Sequence, residues 1–315
     1  MSFSKIKSRL PGGELFKLLF KYKNVKISRN NPLETALLER RKYYKNRYFF
    51  GYKKETTFYL NLYKVMCDLF TDSSEQSWFD FNGVIIPKPI SNEEKTVLMK
   101  EIIDFLIFDL TENRVLCDIV TNEGPYELDN VQILKGDIVI DCGANMGLFS
   151  SIASHKLAIA YAFEPSDYLI NNYLLKISRR IPNINICKYA LSHETAELEF
   201  MFSDDAVSIG HLDFIGHSVK NDNFRKYIVQ AITLDDFIHE NNIPKVDFIK
   251  ADIEGAERYM LMGAKQVLKD FAPKLAICTY HLPDDPKVLR EIILDANPKY
   301  IIEEKFKKIY AHVPN

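Results

Sequence analysis

Four residues at fixed spacing and three charged residues far downstream carry the chemistry of this chain. Asp141, Gly143, Asn145 and Gly147 fall within Asp137-Ile-Val-Ile-Asp-Cys-Gly-Ala-Asn-Met-Gly147. The run Ile138 to Ile140 has the β-branched character of a buried parallel strand. Asp141 ends it, and an apolar helix-like segment opens at Leu148. In α/β sheets a strand–glycine turn–helix unit is where a nucleotide-like ligand binds, because glycine lets the backbone approach without a Cβ in the way. The next apolar run, Leu157 to Phe163, ends in Glu164, 23 residues after Asp141. A carboxylate at that strand tip can accept two hydrogen bonds from a ribose diol. The GxGxxG triplet of dinucleotide folds does not occur, and the acidic Asp141 would repel a pyrophosphate. It suits a cationic, amino-acid-bearing nucleoside, S-adenosylmethionine.

Ile249-Lys-Ala-Asp-Ile-Glu-Gly-Ala-Glu257 is the second informative segment. A buried strand runs into Lys250, Asp252 and Glu254, and Gly255 then turns into a helix. Ligands of open α/β sheets lie outside the carboxyl ends of the strands. This places Asp252 against the methionine portion of the donor or against the acceptor, with Glu254 or Glu257 orienting the substrate. The plainer reading is a solvated loop and a helix N-terminus that favours acidic residues. His281, in Thr279-Tyr280-His281 after the apolar strand Leu275 to Cys278, is a candidate general base. Asp252, Glu254 and His281 are ligand types that suit magnesium or manganese, but nothing in their spacing fixes a geometry, and no metal is assigned. Cys142 reads as a small packing residue. There is no Pro-Cys pair and no Asp/Asn-Pro-Pro-Tyr element, which weighs against methylation of a nucleobase.

These residues need a scaffold. From Gly136 onward strand and helix patterns alternate, which implies a mostly parallel sheet. Strands are predicted near 137–141, 158–163, 184–188, 196–202, 227–232, 246–251 and 274–280, with a final antiparallel pair near 299–306 and 308–313. Helices fit 147–156, 166–179, 233–241, 256–269 and 285–295. Upstream, Ser91-Asn-Glu-Glu94 reads as a capping box opening a helix to about Leu110. Short strands are expected at Val115–Thr121 and around Tyr126.

At 315 residues the chain exceeds one average domain. We expect a basic, aromatic and mainly helical extension over residues 1–120 and a catalytic domain over 121–315. Five cysteines, widely spaced and without a CxxC pair, argue for reduced thiols in the cytoplasm and against structural zinc. No apolar run approaches a membrane span. Charge is uneven: residues 1–60 hold 15 Lys/Arg and four Asp/Glu, leaving 26 and 39 for the remainder. The basic segment, with Leu15 to Lys23 amphipathic and Tyr43 to Lys53 interleaving rings and cations, could bind nucleic acid or an anionic membrane surface. The favoured reading is a helical cap whose lysines face water or the acidic remainder.

With these residues in hand, the chain resembles the FkbM family of S-adenosylmethionine-dependent methyltransferases over about residues 124 to 313. The resemblance rests on Gly124-Pro-Tyr126, on Gly136 to Gly147, on Ala162-Phe-Glu-Pro165, on Ala190-Leu-Ser192, on Thr233-Leu-Asp-Asp236, on Ile249 to Glu257 and on Tyr280-His281 with the Asp-Asp-Pro that follows. It implies a Rossmann-like class I methyltransferase sheet, mostly parallel with an antiparallel last strand. It further implies that Asp141, Gly143, Asn145 and Gly147 cradle the methionine end of the donor and that Glu164 holds the ribose. The expected activity is O-methylation of a hydroxyl on a sugar, glycan or other natural product, with Asp252 or His281 accepting the proton. The alternatives are an RNA methyltransferase guided by the basic N-terminal segment and a non-catalytic S-adenosylmethionine-binding protein. The acceptor and the oligomeric state are not legible in the sequence.

Overall fold

The computed structural model describes residues 78–81, 83–91, 124–203, 206–212 and 224–314, with isolated positions between 94 and 105. The basic and aromatic segment before residue 78, the expected strand at Val115–Thr121 and most of the helix expected to reach Leu110 lie outside the described residues. The chain divides into two compact units, residues 1–75 with 99–122 and residues 76–98 with 123–315.

That second unit begins with a hairpin, β1 (Trp78–Phe81) and β2 (Val84–Pro87). After it the expected capping box is present: the amides of Ile90 and Ser91 each donate to Glu94 at 2.6 Å, and the Glu94 amide donates to Ser91 Oγ at 3.2 Å. The strand expected around Tyr126 reduces to one antiparallel bridge, Leu128 with Val131.

β3 (Ile138–Cys142) is buried along its whole length, as a strand flanked by parallel partners must be. Gly147 takes φ 87 as the N-cap of α1 (Leu148–His155), and β4 (Ile159–Phe163) follows. Ser166 caps α2, which runs from Asp167–Leu169 through a π-helical turn, Ile170–Leu174, to Leu175–Ser178. Next come β5 (Ile184–Cys187), β6 (Ala190–Leu191), β7 (Ala196–Ser203), β8 (Ala206–Leu212) and β9 (Phe224–Ile232). α3 (Leu234–Glu240) is capped by Thr233, whose hydroxyl accepts from the Asp236 amide. Then follow β10 (Phe248–Ala251), α4 (Glu257–Met262), α5 (Lys265–Asp270), β11 (Lys274–Cys278), α6 (Asp285–Ala296), β12 (Ile301–Lys305) and β13 (Lys308–His312).

Seven strands form the main sheet in the order β12-β13-β11-β10-β3-β4-β5. The last strand in sequence, β13, pairs antiparallel with both β11 and β12, while the ladders of β11, β10, β3, β4 and β5 are parallel. The expected mostly parallel sheet with an antiparallel last strand is therefore present. Ile140, Phe163, Ile249, Leu261, Leu275 and Leu289 belong to the core packed on it. A separate four-stranded sheet, β6-β9-β7-β8, takes up strands that periodicity alone could not assign to a second layer.

One predicted helix, 256–269, is broken between α4 and α5. The Asp235 carboxylate accepts from the amides of Gln266 and Val267 at 2.9 Å each and so starts a new helix there. At the break, a Cβ on Gly263 would lie 2.1 Å from the Ser192 carbonyl oxygen.

Candidate active site

The turn after β3 is tied to the end of β4: the amides of Gly143 and Ala144 both donate to the Phe163 carbonyl, at 3.1 and 2.9 Å. Gly143 has φ 77, and a Cβ there would meet the Asp252 carbonyl oxygen at 2.1 Å. Glycine is required twice over, for the left-handed backbone and for close approach of the loop after β10. Asn145 continues the corner at φ 50.

Glu164 sits at the tip of β4 and is 5% exposed. Its Oε2 accepts from the Asn145 amide and its Oε1 from the Ser166 amide, each at 3.0 Å. Burial pushes its carboxyl up to about 7, against the downward pull of the Ser166 and Asn145 amides and of Lys250. The acid sits in a half-prepared place: two donors hold it, and Lys250 compensates its charge only in part.

Asp141 is fully buried at the end of β3. Ser150 Oγ donates to its Oδ2 at 2.7 Å, and Lys250 Nζ lies 3.1 Å from its Oδ1. The structure thus encloses this carboxylate beneath the corner between Ser150 and Lys250. Lys250 Nζ also donates to the carbonyls of Gly143 at 2.6 Å and Cys142 at 3.2 Å. Burial alone would lower its pKa, but Asp141 and Asp252 outweigh that and keep it a cation. Lys250 is the lock of the corner, and sequence reasoning missed it. The only signal was a lysine at the end of an otherwise apolar strand.

Across the corner stands Asp252, directly after β10. Tyr126 Oη donates to its Oδ2 at 2.6 Å and Tyr280 Oη to its Oδ1 at 3.0 Å. Burial would raise its pKa, yet Lys250, His281, the Tyr126 hydroxyl and Lys308 together hold it below the usual aspartate value. The side chain of His281, after β11, is only 6% exposed; its Nε2 lies 3.6 Å from Asp252 Oδ1 and 3.4 Å from Glu254 Oε2, and its Nδ1 lies 3.0 Å from Glu257 Oε1. Burial pushes the imidazole down, but Glu257, Asp252 and Glu254 raise it to about 9. At neutral pH this ring is a cation, a form that cannot accept a proton.

Glu254 takes φ 53 in the same loop. Glu257 is fully buried and caps that loop, accepting from the Ile253 amide at 2.8 Å and the Gly255 amide at 3.0 Å. The sequence-read residues therefore form two groups on one sheet edge. Gly143, Asn145, Gly147 and Glu164 gather around the ends of β3 and β4, with Asp141 beneath them. Asp252, Glu254, Glu257 and His281 gather at the ends of β10 and β11. Tyr126, hydrogen-bonded to a carboxylate 126 residues away, was not assignable from sequence. Cys142, Cys187 and Cys278 are free and buried, and Cys67 and Cys117 lie outside the described residues. No helix among the described residues is long and apolar enough to cross a membrane.

A parallel sheet with one antiparallel strand inserted beside its last parallel strand, and an acid-tipped glycine corner at its carboxyl edge, define a Rossmann-like fold of the class I methyltransferase type. Residues 141–307 match the family model of the methyltransferase FkbM domain, and the chain belongs to that family. The hexuronic acid methyltransferase AglP of Haloferax volcanii is 27% identical over 163 residues, 51% of this chain and 63% of the relative. The chain thus matches less than two thirds of that relative's length. Among solved structures, the methyltransferase FkbM of Methylobacillus flagellatus KT is 21% identical with a TM-score of 0.46, covering 71% of this chain and 56% of that one. The fibrillarin pre-rRNA processing protein of Methanococcus jannaschii is 13% identical with a TM-score of 0.38, covering 77% of this chain and 84% of its own.

Proposed function

We propose that this protein is an S-adenosylmethionine-dependent O-methyltransferase that acts on a sugar hydroxyl. The observation that carries the reading is Glu164, a buried carboxylate at a strand tip beside a glycine corner, held by two backbone amides and compensated only in part by Lys250. A ribose diol brings two further donors to such an acid, and a cationic ligand brings opposite charge. When bound, S-adenosylmethionine supplies a methyl group made electrophilic by the adjacent sulfonium.

The chain's own residues then hold and orient. Glu164 takes the ribose diol, and the Gly143-to-Gly147 corner takes the amino-acid end. Asp141 and Lys250 keep that corner in shape from below. Asp252 takes the acceptor hydroxyl and receives its proton, with Tyr126 and Tyr280 fixing its two oxygens. Glu254 borders the acceptor. His281, placed between Asp252 and Glu257, positions Asp252 instead of serving as the base. Holding two reactants in line in this way supplies at most about 7–11 kcal/mol of barrier reduction.

The sugar acceptor is favoured by the likeness to a hexuronic acid methyltransferase. The test is transfer of a radiolabelled methyl group from S-adenosylmethionine to a panel of uronic acids and acidic glycans, with RNA and protein extract as the other acceptors. Label entering the glycans in an alkali-stable ether supports the proposal. Label entering RNA alone, or no turnover with any acceptor, overturns it.

A further inference from the structure

We propose that Asp252, Glu257 and His281 form a binding site for one divalent cation of the Mn2+ type at the carboxyl ends of β10 and β11. Each of the three offers one donor atom, and these atoms lie within 4.8 Å of one another. Ligands on opposite sides of a magnesium-to-calcium-sized ion lie about 4–5 Å apart, so the three donors fit around one centre. Glu254 Oε2, 3.4 Å from His281 Nε2, is within reach as a fourth ligand.

The imidazole provides the independent observation. The His281 side chain is 6% exposed, and carboxylate oxygens lie close to both of its nitrogens. Yet neither nitrogen makes an aligned hydrogen bond. A buried polar ring surrounded by acceptors and bonded in line to none of them is the arrangement that a shared metal ion resolves.

The neighbouring groups fix the donors. The Ile253 and Gly255 amides hold Glu257, and the Tyr126 and Tyr280 hydroxyls hold Asp252. Outer partners of this kind orient metal ligands. Charge also fits: Asp141, Asp252, Glu254 and Glu257 are opposed by the buried Lys250 and Lys308. Binding of the ion releases the imidazole's proton to solvent, and with the ring then neutral two negative charges are left for a divalent ion. Two carboxylates and one imidazole suit Mn2+, whose remaining positions take oxygen ligands, water or adjacent hydroxyls of an acceptor. The metal site shares Asp252 with the proposed methyl transfer, and an ion bound there takes over the acceptor hydroxyl from it; S-adenosylmethionine binding at Glu164 is measured separately, so failure of the metal site leaves the donor site standing.

The test is titration of the full chain with Mn2+, followed by electron paramagnetic resonance. We expect loss of the free-ion signal at one ion per chain at submillimolar concentrations, with modulation from a coupled imidazole nitrogen. Affinity should fall at least roughly tenfold in both Asp252→Asn and His281→Gln. Because either variant could lose structure, the nitrogen coupling in the unmodified protein serves as the second readout. No uptake of Mn2+, or uptake without that coupling, overturns the proposal.

Discussion

Replacing Glu164 with glutamine separates stability from ligand binding in a way that few other substitutions here would. The side chain is 5% exposed, and burial lifts its carboxyl from 4.5 to about 7. At 1.36 kcal/mol per pH unit this is about 3 kcal/mol of ionisation cost carried by the folded state. Between pH 4.5 and 7 the folded protein keeps a proton that the unfolded chain has released. Stability from this group is therefore complete below 4.5, declines as pH rises, and is fully lost above 7. Glutamine removes the titration. It also turns an amino group toward one of the two amide donors, Asn145 or Ser166, at a cost of about 1–3 kcal/mol. At pH 8 the variant should thus be between equal to the parent and about 2 kcal/mol more stable. At pH 5 it should be less stable. Urea unfolding of both proteins from pH 5 to 8 reads this directly, because all other titrating groups cancel in the difference. A stability difference that stays flat across that range would refute the buried, only partly compensated carboxylate and the reasoning built on it.

Other perturbations have equally definite outcomes. Gly143→Ala forces a Cβ to within 2.1 Å of the Asp252 carbonyl at φ 77 and should cost about 2–4 kcal/mol in chemical denaturation. Lys250→Met leaves Asp141 buried without its cation and should cost about 3–5 kcal/mol. Combination with Asp141→Asn should recover part of that loss, read as a non-additive double-mutant cycle. Binding of S-adenosylmethionine should release a large fraction of a proton at pH 6 and much less at pH 8, because the ligand favours ionised Glu164. Calorimetry in two buffers of different ionisation enthalpy measures this.

The parts legible in the sequence were those written in local patterns. The apolar strand Ile138–Cys142, the glycine at 147 and the acid at 164 announce a strand, a turn and a strand tip within a span of 27 residues. Ser91 and Glu94 likewise form the capping box their spacing suggested, and the final hairpin follows from two strands too close for a helix between them. What escaped were long-range partnerships. Lys250 reads as one charge among several at a strand end. Only the parallel pairing of β10 with β3, which puts it opposite Asp141, makes it a buried counter-ion. The second sheet escaped for the same reason, since alternation fixes a strand's faces but not its neighbours. His281 was read as a base from its residue type and its place at a strand end. The three carboxylates around it, drawn from the loop after β10 and the start of α4, turn it into a cation.

Isothermal titration of the full chain with S-adenosylmethionine at pH 8, in parallel with Glu164→Gln, addresses the central claim most directly. The account predicts one ligand per chain for the parent and an affinity lower by at least roughly a hundredfold in the variant, as expected for the loss of two hydrogen bonds to a charged acceptor. No binding by the parent, or equal affinity in the two proteins, would contradict it.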